Sequence, residues 1–140
     1  MKTTWTKEKL YEAYNKMENV TLGLRLRKVF DWALSNGFFF ESENGSEEIP
    51  IFGLRGKYND LFVRFIRKGE IFVYLNEIYT GGKKQRAELI SDLKEADLLK
   101  LKKNEDPNEI KQGRNLSKHI QDLSDKEFNL MLRIFSKYCI

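Results

Sequence analysis

The sequence predicts an α+β fold with two N-terminal helices, a four-stranded antiparallel meander centred on the hairpin 60–76, and two C-terminal helices. Three observations lead to this prediction. Two β-rich apolar runs flank a glycine turn within residues 60–76. Shorter apolar runs precede that hairpin and are separated by Pro, Gly and Asn. Apolar residues recur at helical spacing on both sides of this β-rich region.

The turn of the hairpin sets its register. Residues 67–69, Arg-Lys-Gly, suit a three-residue loop in which the glycine takes a positive φ without a Cβ clash. This loop pairs Ile66 with Glu70. It then places Phe65 opposite Ile71, Val63 opposite Val73 and Leu61 opposite Leu75. Side chains alternate along a strand, so the predicted core face consists of Leu61, Val63, Phe65, Ile71, Val73 and Leu75. The opposite face consists of Phe62, Arg64, Phe72 and Tyr74.

Two helices are predicted before the sheet. The first covers residues 7–18 and follows Thr6, a residue type that caps helix N-termini. Its apolar stripe consists of Leu10, Tyr14 and Met17. The second covers residues 21–36 and ends at Gly37, which suits the left-handed position after a helix. Its stripe consists of Leu22, Leu26, Val29, Phe30 and Ala33.

Two strands are predicted between these helices and the hairpin. Residues 38–41 contain three consecutive phenylalanines, which indicates burial on both sides or on one side and at an interface. Residues 50–54 begin at a proline, which is typical of an edge strand. The polar segment 43–48 connects them with an Asn-Gly turn.

The C-terminal part predicts two helices separated by a less regular segment. The first covers residues 83–95, with a core face of Ala87, Leu89, Ile90 and Leu93. Residues 98–103 are consistent with a helix end or a short strand, 104–115 form the least ordered stretch, and 116–123 favour an extended segment. The last helix begins at a capping box, Ser124 to Glu127, and its packing residues are Phe128, Leu130, Met131, Leu132, Ile134 and Phe135.

Length, composition and charge indicate the class of protein. The 140 residues predict one domain, 1–140, and 41% hydrophobic with 33% charged residues is typical of a soluble protein. We expect a cytoplasmic protein without a membrane partner, because there is no signal peptide or long apolar run and Cys139 is the only cysteine. The net charge is +4, and the excess lies in residues 61–103, which hold ten Lys/Arg and six Asp/Glu. This distribution predicts weak attraction to polyanions.

Motifs for catalysis and metal binding are absent from the sequence. His119 is the only histidine, which argues against a zinc site, and no GxSxG nucleophile elbow is present. Glu70 lacks the lysine two residues later that restriction-type nucleases require. Residues 80–84, Thr-Gly-Gly-Lys-Lys, lack the Walker spacing, and we interpret them as a helix start or a weak phosphate contact. We therefore expect no cofactor, no metal and no catalytic residue, with an unrecognised enzyme as the least favoured hypothesis.

A family resemblance accompanies these features. The stretches LRKVFDWALSNGFFFES, FGLRGKYNDLFVRFIRKGEIFVYL and RAELISDL, followed by an apolar helix, resemble a small α+β domain of bacterial and archaeal proteins. That domain has no established activity and is often attached to restriction, helicase or other defence modules. The resemblance covers about residue 24 to the C-terminus. It departs from many relatives where they have a tryptophan before the hairpin turn and this chain has Phe-Ile-Arg at 65–67. The resemblance implies a nucleic-acid-associated accessory role.

Two functional hypotheses follow. In the first, the chain is a non-enzymatic binding module for nucleic acid or a defence partner. Bases would stack beside Arg64 and its aromatic neighbours, and other cations would meet phosphates. The candidate residues are Arg55, Lys57, Arg64, Tyr74, Lys83, Lys84 and Arg86. In the second, the chain is a protein-interaction or homodimerisation domain that uses the strand at 38–40 or an open edge of the hairpin. If helices covered both faces of the sheet, Phe62 and Tyr74 would be ordinary core residues and Arg64 would only reach an edge.

Overall fold

A computed structural model describes residues 6–41, 52–65 and 68–139. It contains helices packed against one antiparallel sheet, so the predicted α+β class is confirmed. The helices are α1 (Lys7–Asn15), α2 (Val20–Ser35), α3 (Glu77–Thr80), α4 (Lys83–Glu95) and α5 (Asp125–Tyr138). The strands are β1 (Phe39–Glu41), β2 (Phe52–Leu54), β3 (Val63–Phe65), β4 (Ile71–Tyr74) and β5 (Gly113–Asn115). Their order in the sheet is β1-β2-β3-β4-β5.

The predicted helix starts agree with the structure to within one residue, whereas the first helix ends at Asn15 and not at residue 18. The Thr6 side chain accepts a hydrogen bond from the amide of Lys9 and begins α1. Gly37 has a φ of +72° just beyond the end of α2. The capping box at the start of α5 is present, since Ser124 and Glu127 exchange side chain to backbone hydrogen bonds. These ends were predictable because each depends on a local side-chain contact.

The predicted meander and the register of its central hairpin are confirmed. Val63 pairs with Val73, Arg64 with Phe72, and Phe65 with Ile71. Gly69 has a φ of +97° in the turn. A Cβ at Gly69 would also lie 1.9 Å from Oε1 of Gln121, so a larger residue would displace that side chain. The predicted pairing of residue 66 with Glu70 lies outside the described residues.

The strict alternation of side chains fails at the start of β3. Phe62 was predicted to share the face of Tyr74, but it is only 1% exposed and stacks on Tyr138 at 5.9 Å between ring centroids. Phe62 lies at a bend before β3, which turns its ring toward α5. Leu61, predicted as core, is half-buried, whereas its predicted partner Leu75 is fully buried.

A fifth strand and a short helix were not predicted. β5 lies within the stretch expected to be least ordered and pairs antiparallel with β4, with Phe72 opposite Asn115. The predicted open edge of the hairpin is therefore covered by β5. The short helix α3 follows β4, and the side chain of Asn76 caps it by accepting from the amide of Ile78.

Two arginines hold the irregular chain between α4 and α5. Arg86 donates to the carbonyls of Leu75, Pro107 and Ile110, and these contacts fasten the segment before β5. Arg25 donates to the carbonyls of Ile120 and Leu123. The backbone there lacks a regular ladder, so the guanidinium groups satisfy carbonyls that would otherwise be buried without donors.

The main core lies on one face of the sheet. Leu54, Val63, Phe65, Ile71 and Val73 are each at most 2% exposed on that face. Ala87, predicted as core, is exposed, and Arg86 takes the buried position next to it. Within the part of the chain that the structure describes, no helix is long and apolar enough to cross a membrane.

Candidate nucleic-acid interface

The face of the sheet opposite the core carries a cation surrounded by aromatic rings. Arg64 on β3 and Phe72 on β4 are paired neighbours and are both half-buried. The guanidinium carbon of Arg64 lies 5.9 Å from the centroid of the Tyr74 ring, which is cation–π distance. Phe72 and Tyr74 pack edge to face with centroids 5.0 Å apart. This arrangement follows from the hairpin register, which places the three residues on one side of the pleat.

A third ring joins this set from outside the sheet. The turn into α3 brings Tyr79 to 5.3 Å from Tyr74 between ring centroids. Gly113 on β5 lies opposite Tyr74, and a Cβ there would be 2.8 Å from Cε1 of Phe72. The Phe72 ring therefore occupies space that a side chain at residue 113 would fill. We refer to Arg64, Phe72, Tyr74 and Tyr79 as the ring surface.

The hydrogen bonding of Arg64 is incomplete. Its Nε is buried and has no hydrogen-bond partner. Arg25, Arg27, Arg86 and Arg114, the other partly or fully buried arginines that the structure describes, all donate side-chain hydrogen bonds to the protein. Buried donors without an acceptor carry a cost of about 1–3 kcal/mol and are rare in folded proteins. Among the partly or fully buried arginines that the structure describes, Arg64 is therefore the one without a side-chain hydrogen bond to another described residue.

Lys83 and Lys84 lie at the first turn of α4 and are both exposed. Two glycines with positive φ precede them, Gly81 at +87° and Gly82 at +112°. Gly82 occupies the N-cap position without a side-chain hydrogen bond, so no side chain satisfies the first amides of the helix. A Cβ at Gly81 would lie 2.5 Å from the Tyr58 ring, which explains the glycine there.

Lys57 borders a separate cleft of about 550 Å³ between α4 and α5. The lining residues are Lys57, Tyr58, Gln85, Glu88, Ser91, Asp92, Lys137 and Tyr138. Asp92 accepts hydrogen bonds from Lys137 Nζ at 3.1 Å and from the Tyr138 hydroxyl at 3.0 Å. Burial and the contact with Asp92 raise the pKa of the Tyr138 hydroxyl. Two carboxylates offset the two lysines here, so the cleft is not selective for a polyanion.

The structure removes Arg86 from the candidate set. Its side chain is 6% exposed, and its guanidinium donates to three backbone carbonyls at 2.6–2.7 Å. This position does not favour the predicted contact between Arg86 and a phosphate, because the guanidinium is buried and bonded to backbone carbonyls. Arg55 is exposed between β2 and the following turn, and its amide donates to the carbonyl of Phe38.

His119 and Cys139 are the histidine and the cysteine of the described residues. His119 is exposed before a 3₁₀ turn. Cys139 is buried, and burial raises the pKa of its thiol to about 12, so the thiolate form that reacts is suppressed. Among the described residues, no group of three or more His, Cys, Asp or Glu side chains is placed to hold a metal ion.

The sequence predicted Arg64 and Tyr74 but missed Tyr79. The signal for Tyr79 was weak, because the segment 77–80 is only one helical turn long. The Asn76 cap followed by Glu77 is nevertheless a start pattern that predicts a turn of helix directly after β4.

Comparison with protein-family models, with curated proteins and with solved structures finds no match to this chain. The resemblance to a defence-associated domain therefore stays a prediction. The ring surface and the lysines of α4 are the features of the structure that point to a function.

Proposed function

We propose that this chain is a non-enzymatic nucleic-acid-binding module whose contact surface is the ring surface. One observation carries the proposal: Arg64 lies over the Tyr74 ring without a hydrogen bond from its Nε, although the other partly buried arginines of the described chain are bonded to the protein. A cation kept among aromatic rings, without a carboxylate partner in the described residues, is suited to a ligand with both bases and phosphates.

The surrounding charge supports an anionic ligand. The excess of positive charge lies in residues 61–103, which contain β3, β4 and the start of α4. The mixed cleft beside Lys57 offers no comparable excess. Because electrostatic attraction to phosphates weakens with salt, the proposal predicts binding that falls as ionic strength rises.

Binding measured by fluorescence anisotropy with labelled DNA and RNA at low salt tests the proposal. Arg64→Ala should weaken binding at least fivefold, which corresponds to about 1 kcal/mol for a cation–aromatic contact. Arg133→Ala is the matched control, since Arg133 is an exposed arginine on α5 and its loss removes the same charge. An absence of binding at low salt, or equal losses in the two variants, would remove the ring surface as the nucleic-acid site.

A second candidate function is homodimerisation through the sheet. β1 and β5 are the two edge strands of the described sheet, and β1 is the one that the sequence predicts as an interface. Strand addition at β1 would extend the sheet across a two-fold axis. Light scattering that gives a monomer mass at every protein concentration tested would exclude this function.

We propose a cytoplasmic location and an accessory role beside restriction, helicase or other defence modules. The location is supported by the single cysteine, because Cys139 has no partner with which to form an internal disulfide. The role is supported by the sequence resemblance. Co-purification of the chain with such a module would support this role. If Arg64→Ala abolishes co-purification, the contact is at the ring surface. If disruption of β1 abolishes it, the contact is at the edge of the sheet.

A further inference from the structure

We infer that the nucleic acid bound is single-stranded and that one strand contacts both the ring surface and the lysine pair Lys83–Lys84. This inference rests on the proposed nucleic-acid binding and specifies its ligand. It follows from the shape of the sheet, from the type of contact that half-buried rings offer, and from the short chain path between Tyr79 and the start of α4.

The width of the sheet keeps its face out of the major groove of a duplex. Arg64 and Phe72 lie on β3 and β4, which are flanked by β2 and β5. Neighbouring strands lie about 4.8 Å apart, so five strands span roughly 19 Å. The major groove of DNA is about 12 Å wide and admits a helix or a two-stranded ribbon. The ring surface therefore stays outside the major groove, and a duplex base would have to leave its own stack before it could stack on these rings.

The ring surface offers what an unpaired base requires. Tyr74 is half-buried, so its ring is fixed by Phe72 and Tyr79 while part of it remains accessible. Stacking of a base on a fixed aromatic ring needs little ordering of the protein and works for every base. In a duplex the same base faces are covered by their neighbours. The rings therefore select single strands and not a particular sequence.

The lysine pair lies close to the rings along the chain. Lys83 follows Tyr79 by four residues, and four Cα–Cα steps span at most about 15 Å. Both lysines are exposed, and neither forms an ion pair with another described residue. A strand whose bases stack on Tyr74 and Tyr79 thus has its phosphates within reach of these two cations. Glu77 is the carboxylate nearest along the chain to this path, on the first turn of α3.

Rings and lysines should make separable contributions to binding. Removal of a stacking ring weakens binding by roughly 5- to 150-fold per base and leaves the salt dependence unchanged. Each phosphate contact to a single strand adds about 0.7 to the slope of log K against log salt. Lys83→Ala combined with Lys84→Ala should therefore reduce that slope by about 1.4.

Three probes test the inference on the full chain. They are a single strand of about 12 nucleotides, the matching duplex, and an abasic sugar–phosphate oligomer of equal length, each titrated from about 50 to 200 mM salt. We expect the single strand to bind at least about tenfold more tightly than the other two probes. Tyr74→Ala should abolish this difference, and Tyr74→Phe, which keeps the ring, should retain it. Lys126→Ala combined with Arg133→Ala removes the same charge from α5 and should leave the salt slope nearly unchanged.

The outcomes separate this inference from the proposed function. If no probe binds at low salt, the proposed function fails. If the duplex or the abasic oligomer binds as tightly as the single strand, nucleic-acid binding stands and the single-strand inference is overturned. If the double lysine variant keeps the wild-type slope of log K against log salt, the inference that the strand also contacts Lys83 and Lys84 is overturned. Tyr79→Ala repeats the ring test outside the sheet, so the result holds even if Tyr74→Ala disturbs the fold.

Discussion

Arg86 provides the sharpest test of how this fold is held together. The residue was a plausible phosphate contact by sequence, yet its side chain is 6% exposed and bonded to Leu75, Pro107 and Ile110. We predict that Arg86→Ala destabilises the protein strongly, because it removes the donor to the carbonyl of Leu75, just after β4, and to carbonyls of the segment before β5. Arg86→Lys should recover part of the loss, since an ammonium group lacks the planar fork that reaches several acceptors at once.

The size of the effect follows from the acceptors. The contacts to Leu75 and Ile110 are buried, and the contact to Pro107 is partly buried. Each buried acceptor left without a donor costs about 1–3 kcal/mol, and relaxation of the loop returns part of that cost. We therefore expect Arg86→Ala to lower the free energy of unfolding by about 3–5 kcal/mol. For a domain with roughly 5–15 kcal/mol of stability, this corresponds to a fall in melting temperature of about 10 °C or more.

Urea denaturation followed by tryptophan fluorescence measures the loss. Lys84→Ala is the control, since Lys84 is an exposed cation on the same helix and should change stability by no more than about 0.5 kcal/mol. Hydrogen exchange locates the effect: the amides of Leu75 and Leu116, which bond across β4 and β5, should lose protection first. A loss below about 1 kcal/mol for Arg86→Ala would refute the structural role of Arg86. Its guanidinium would then again be a candidate for contact with a phosphate.

Three further predictions concern a carboxylate, a thiol and an unbonded donor. The hydrogen bonds from Arg114 and from the Lys102 amide lower the pKa of Glu105 to about 2. The unfolded value is about 4.3, so the unfolded chain takes up the proton first as pH falls, and stability from Glu105 is lost between about pH 4.5 and 2. The urea midpoint of Glu105→Gln should therefore fall less over that range than the wild-type midpoint. Cys139 should react with a thiol reagent only at the rate of unfolding, because the thiol is buried and its pKa is about 12; rapid labelling of the native protein would contradict this. Arg64→Met should leave the free energy of unfolding unchanged or raise it by up to about 2 kcal/mol while binding weakens, and a loss above about 2 kcal/mol in the same urea assay would make Arg64 a structural residue.

The sequence predicted those parts of the fold that depend on local chemistry. The turn at Gly69 set the register of the hairpin because only a three-residue loop with a positive-φ glycine aligns the two apolar runs. The capping box at Ser124 fixed the start of α5 for the same reason. In each case a few adjacent residues contain the whole physical cause, so one sequence suffices.

The parts that were missed depend on distant contacts. β5 has the sequence Gly-Arg-Asn, which carries no strand propensity, and its pairing with β4 follows from the fastening of the preceding segment by Arg86. Phe62 leaves the alternating pattern because α5 offers a stacking partner in Tyr138. Neither α5 nor the loop before β5 is close in sequence to the strand that it affects.

The buried position of Arg86 is indicated by the helical spacing of apolar residues in the sequence. Residues 86, 89, 90 and 93 lie at i, i+3, i+4 and i+7, which is the buried stripe of a helix. Periodicity therefore placed the arginine inside, whereas its charge suggested a surface position. A long cation on a buried stripe next to an irregular segment is better interpreted as a donor to backbone carbonyls. The same interpretation applies to Arg25, which satisfies the carbonyls before α5.

The contrast between Arg64 and Arg86 connects stability with the proposed function. Hydrogen bonds to three carbonyls offset the cost of burying Arg86, so its removal should lower the free energy of unfolding. Arg64 has a buried Nε without an acceptor, and its contact with the Tyr74 ring returns only about 0.5–1 kcal/mol. The fold therefore gains little from Arg64, which suits a position whose guanidinium is kept for the proposed ligand. A methionine at 64 would keep the packing and remove the unbonded donor, which is why stability and binding should change in opposite directions at this residue.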